Sequence, residues 1–168
     1  MITNLSNLML IVSEEEKKFT NYIYNLKDYA YNTSIQELDG TVNITEDYKK
    51  DFEKYYGELN KTQEKIIKIK KAIYEKNNLF TLSDGRTIQE SIVENTILRK
   101  MKGYFENLLE KRESKRRVTE VNNSYFECKT LNYDIEEIQR RVSEIEKKIQ
   151  ETDFEISKLN SKEFEVNI

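Results

Sequence analysis

Apolar residues recur at three- and four-residue intervals along most of this chain, which is the period of a helix with one buried face. The pattern predicts a first helix over 5–31, with Leu5, Leu8, Met9, Val12, Phe19, Tyr22, Ile23 and Leu26 on one side. The Asn-Thr-Ser cluster at 32–34 weakens it. The stretch ELDGTVNITED then reads as a loop, or a small hairpin around Asp39-Gly40. Thr45 is the expected N-cap of a second helix over 46–76, whose stripe is Tyr48, Phe52, Tyr55, Leu59, Thr62, Ile66, Ile69 and Ile73. Asn77-Asn78 ends it.

Thr87-Ile88-Gln89-Glu90 has the form of a capping box. It opens a third predicted helix over 88–117, with Ile92, Leu98, Met101, Phe105 and Leu108 inward. Gly85 just before it supplies a permissive turn. Residues 119–133 break the helical period, and Tyr125, Phe126, Cys128 and Thr130 favour an extended arm or short hairpin. A fourth helix over 134–159 has the cleanest seam: Ile135, Ile138, Val142, Ile145, Ile149, Thr152, Ile156 and Leu159, in heptad steps. The expected fold is mainly α: long antiparallel helices in a bundle or coiled coil, with a short extended or hairpin element near 120–133. No internal repeat is evident and no linker divides the chain, so one domain over 1–168 is expected. Narrow stripes on long helices bury limited area per chain, which points to a homo-oligomer.

In order along the chain, Asn78 with Thr81, Asp84-Gly85-Arg86-Thr87, Leu98-Arg99, the polar-aromatic region at 122–130 and the last helix resemble a family of small bacterial and phage helical proteins labelled septicolysin-like. The resemblance runs through nearly the whole order of elements. It implies a long-helical oligomer with a small extended element, and little chemistry. The chain departs from that family's pattern near its C-terminal end, where Phe164 stands in place of a tryptophan, and at the basic-aromatic segment, here KRRVTEVNNSYF.

Composition narrows the chemistry. Of 168 residues, 35% are charged, proline is absent, and the formal charge is -3, which disfavours nucleic acid as a partner. The chain has no histidine, so the usual general base and the commonest metal ligand are both missing, and no metal or cofactor is expected. A single cysteine, Cys128, excludes an intrachain disulfide and fits a reducing, cytoplasmic setting. No apolar run approaches the length of a membrane span.

The basic residues of the second half are the candidate chemistry. Arg86, beside the start of the third helix, is either a surface arginine paired with Asp84 or Glu90, or an anion ligand acting with free helix N–H groups. Arg99 is either salt-bridged to a neighbouring helix or brought to a shared site by a second chain. Lys111, Arg112, Lys115, Arg116 and Arg117 are either a solvated helix end or a basic mouth leading to Tyr125 and Phe126. A strand sets those two aromatics on opposite faces. The clustering favours a non-enzymatic homo-oligomer that holds a small anionic, nucleotide-type ligand at subunit interfaces. Its binding residues would be Arg86, Arg99, Arg116, Arg117 and Tyr125, with Asn78 and Thr87 beside them. Phage proteins that sequester cyclic nucleotide immune signals share this general plan. The alternative is a coiled-coil scaffold or protein–protein interaction module without a small-molecule ligand. A membrane-active toxin, suggested only by the family label, fits poorly with such charged helices.

Overall fold

The computed structural model describes residues 1–121 and 123–167. Its elements run β1 (Ile2–Thr3), α1 (Leu5–Asp28), β2 (Thr33–Gln36), β3 (Val42–Glu46), α2 (Lys49–Leu79), α3 (Ile88–Leu109), β4 (Ser114–Glu120), β5 (Asn123–Lys129), α4 (Ile135–Asn160) and β6 (Phe164–Glu165). The protein is mainly helical, with separate two-stranded antiparallel sheets β1–β6, β2–β3 and β4–β5. The chain forms two compact units, Met1–Leu79 with Leu159–Ile168, and Phe80–Lys158.

In the first unit, α1 starts on Asn4, whose side chain accepts from the Asn7 N–H. The helical period then brings Leu8 and Val12 against Ile69 and Ala72 of α2, with Ile11, Ile73, Phe164 and Val166 packed around them. The two helices are antiparallel. Glu15 reaches Lys65 near their middle, while Tyr29 lies against Tyr48 and Tyr55 further along. Strands β1 and β6 join the two ends of the chain, reinforced by the Met1 amino group donating to the Val166 carbonyl at 2.9 Å.

The hairpin expected at Asp39-Gly40 is β2–β3, and Gly40 takes φ 89°, a left-handed value that favours glycine. Thr45 does not cap a helix. It lies in β3, where its hydroxyl donates to the Thr33 carbonyl. The helix begins later, where Asp47 accepts from the Lys49 N–H and Asn32 accepts from the Tyr48 N–H. Strand pairing consumed the residues that the capping signal had assigned to the helix.

In the second unit, α3 and α4 run antiparallel and are joined by polar contacts: Asn95 and Arg99 to Asp153, Lys102 to Glu146, and Lys148 to Glu94. Of the expected α4 seam, Ile145, Ile149 and Thr152 are buried, while Ile135 is exposed. Its counterpart is not an apolar heptad. The buried positions of α3 are Ile88, Ser91 and Asn95, while Ile92 and Met101, expected inward, are exposed. α3 also ends at Leu109, eight residues before the expected Arg117. The charged run after it has good helical propensity, but pairing of β4 with β5 over seven residues on each strand overrides that weak preference.

A shared plan emerges that no residue pattern discloses. Each unit is a helix, a β-hairpin at its far end, and a second helix returning antiparallel.

Candidate functional site

The turn before α3 is built from its own sequence. Thr81 and Thr87 form a β-bridge, the Leu82 N–H donates to the Arg86 carbonyl at 2.8 Å, and the Gly85 N–H donates to the Leu82 carbonyl at 3.1 Å. Gly85 sits at φ 88°, where an L side chain is strained. Thr87 closes the capping box. Its hydroxyl accepts from the Glu90 N–H, and the Glu90 carboxylate accepts from the Thr87 N–H at 2.7 Å. That hydrogen bond holds the Glu90 carboxyl below its ordinary range. The helix N-terminus is thus occupied by side chains of the protein itself.

Arg86 is held from two directions. Its Nε donates to Asp84 Oδ2 at 2.7 Å, and its Nη1 reaches Glu94. Glu94 also accepts from Lys148, so two acids and two bases form one chain of charges from the turn to α4. Both carboxyls are shifted down, Asp84 by the Arg86 guanidinium and Glu94 first by Lys148. At the same turn, Glu155 accepts from both the N–H and the hydroxyl of Ser83 at 2.7 Å.

The remaining candidates have comparable roles. Arg99 makes a salt bridge with Asp153 at 2.6 Å. Arg116 pairs across the hairpin with Glu127 at 2.8 Å, and Arg117 donates to the Ser124 hydroxyl at 3.0 Å. The Tyr125 hydroxyl lies 3.3 Å from Glu120. Asn78, in the first unit, donates from its amide to the Tyr74 carbonyl.

Arg86 and Thr87 share one turn. Arg99 lies twelve residues further along α3, about 18 Å at the helical rise. Strand alternation puts Arg116 and Tyr125 on one face of β4–β5, and Arg117 and Phe126 on the other. Lys115 covers the Phe126 ring at 4.6 Å. Arg86, Arg99 and Arg116 therefore each have a carboxylate partner from their own chain. Among the described residues, no group of three or more His, Cys, Asp and Glu could hold a metal ion.

Sequence reasoning weighed Tyr125 and Phe126 as contacts for a small ligand, and neither hairpin as a surface for a protein. All four residues of β2, all five of β3 and all seven of β5 are exposed. Large apolar side chains stand on them regardless: Ile35, Val42 and Ile44 on the first hairpin, Tyr125 and Phe126 on the second. The signal was present in the β-branched and aromatic residues. What it lacked was any indication that neither face of the ribbon packs on a helix.

A family model described as a family of unknown function, DUF6847, matches residues 30–163, and the chain belongs to that family. A solved structure described as that of a functionally unknown conserved protein from Corynebacterium diphtheriae resembles it with a TM-score of 0.65 and 18% identity, over 98% of this chain and 100% of that one. The likeness shows a shared fold. No curated protein matches. These findings overturn the resemblance to the septicolysin-labelled family, since the matching family is a different one. Nor is any described helix long and apolar enough to cross a membrane.

Proposed function

We propose that this member of DUF6847 is a non-enzymatic structural or protein–protein interaction module that works through its β-hairpins and holds no small-molecule ligand. The observation that carries the reading is the exposure of β2–β3 and β4–β5 on both faces despite their apolar side chains. A two-stranded hairpin is only marginally stable in water unless something packs on it. Exposed apolar side chains gathered at one element also mark contact surfaces more often than chance.

The anionic-ligand reading has to meet a cost. A phosphate at Arg86 would have to displace Asp84 and Glu94, which already supply the charge-assisted bonds a phosphate would offer. At the start of α3 it would also face Glu90, whose carboxylate already occupies the Thr87 N–H. The same competition holds at Arg99 with Asp153 and at Arg116 with Glu127.

Native mass spectrometry of protein purified under mild conditions tests the proposal. The expected spectrum shows the bare polypeptide mass or its multiples, unchanged after incubation with linear and cyclic nucleotides. Arg86→Ala should lower stability by about 1–2 kcal/mol by removing a partly buried charged hydrogen-bond donor, with no other effect on the spectrum. A retained increment of nucleotide mass, lost in Arg86→Ala or Arg116→Ala, would replace the proposal with the ligand-binding one.

A further inference from the structure

The two edges of the β4–β5 ribbon differ in chemistry. In a two-stranded sheet each strand has one neighbour, so alternate residues on each outer edge direct N–H and C=O groups away from the ladder. Such an edge is a template for another strand unless it is guarded. β4, Ser-Lys-Arg-Arg-Val-Thr-Glu, carries three consecutive cations, Lys115, Arg116 and Arg117, and one carboxylate, Glu120. β5, Asn-Ser-Tyr-Phe-Glu-Cys-Lys, carries one charge of each sign, two aromatics and an exposed cysteine. The first edge repels its own kind; the second does not.

We infer that the outer edge of β5 pairs antiparallel with the same edge of a second copy of this chain, making one four-stranded sheet with its two-fold axis at Phe126. This rests on the interaction-module reading and names the partner and the surface.

Charge and shape select this arrangement. With the axis at Phe126, that ring meets its counterpart, Tyr125 lies opposite Glu127, Ser124 opposite Cys128, and Asn123 opposite Lys129. No like charges face each other across the seam. The pairing also extends an existing row. Within one chain Arg117 already lies beside Phe126 and Lys115 over it, so the sheet would carry a cation, two aromatic rings and a cation in line on one face. The same operation on the β4 edge sets Arg117 against Arg117, a direct like-charge contact. β2–β3 is a poorer candidate, because its strands are shorter and a register shift at Thr33/Ser34 turns the edge away.

Cys128 is the single cysteine of the chain, which makes it a reporter for the geometry. It lies two residues from the axis, so its two copies would sit about 14 Å apart, given a strand rise of about 3.4 Å and a strand spacing of about 4.8 Å. A nitroxide attached there should show strong dipolar broadening in frozen solution, lost when labelled protein is diluted with unlabelled protein. Sedimentation of the unlabelled chain should show a dimer or a multiple of it. Phe126→Lys should abolish the broadening and lower the mass, and its helical circular dichroism should stay unchanged because Phe126 is exposed. Lys115→Ala, on the far strand, should leave the pairing in place. A multimer whose labels do not broaden overturns the β5 pairing and spares the module reading. A monomer at every concentration also overturns the pairing, and only a retained ligand in the mass spectrum would overturn the module reading with it.

Discussion

At the residue scale, the informative positions are those where a side chain is committed to its own chain. Glu15 is buried on α1 and accepts from Lys18 and Lys65 at 2.9 Å. The bond from Lys65 is the largest reason its carboxyl titrates below the ordinary 4.5, and Lys18 adds to it. A carboxyl whose folded pKa is depressed stabilises the fold above its unfolded pKa and loses that contribution as pH falls through the folded value. Urea melts should therefore show a stability difference between wild type and Glu15→Gln that is full at pH 7, about 2 kcal/mol for charged hydrogen bonds at a buried group. The difference should shrink below pH 4.5 and vanish once both states are protonated. Gly85→Ala is a second residue-scale test. Nothing lies within 4 Å of an added Cβ, so the cost is conformational alone, about 1–2 kcal/mol for a left-handed backbone. These positions were unequally legible. Gly85 and the Thr87–Glu90 box could be read from residue type and spacing. The Lys65 partner of Glu15 could not, because it comes from 50 residues away.

At the element scale, both hairpins were anticipated without their boundaries, and the helices were readable. Their cores follow a period that survives any tertiary context, as with Ile145, Ile149 and Thr152 of α4. Most of the misreadings fall at element ends. Residues 110–117 have helical propensity, yet β4 begins at Ser114 because each of its residues gains a ladder partner in β5. Thr45 looks like a cap and is a strand residue for the same reason. The inner face of α3 was misjudged because Ser91 and Asn95 are buried in place of Ile92 and Met101. Asn95 is nearly inaccessible, and its amide donates to Asp153 at 2.9 Å. Asn95→Asp would put a second carboxylate beside that one and remove the donor. We expect a loss of about 2–3 kcal/mol in chemical denaturation, largely recovered at low pH. The cap itself should be worth about 1 kcal/mol, read from Thr87→Ala in the same assay.

At the scale of the whole molecule, the plan of helix, hairpin and returning helix occurs once in each unit without a visible sequence repeat. Shape can recur in this way when only the apolar period and the turn positions are retained. The basic residues of the second half cluster in sequence, and within one chain they do not converge in space. They are distributed over a turn, a helix and both faces of a ribbon, most of them opposite an acid. The central claim is that the hairpins are contact surfaces for a second copy of this chain. Hydrogen–deuterium exchange followed across a dilution series tests it most directly. If the claim holds, amides of β4–β5 or β2–β3 are protected in concentrated protein and lose that protection on dilution, while those in the middle of α1 and α2 do not change. Hairpin amides that exchange at one rate across the whole series, whatever the concentration, would contradict it.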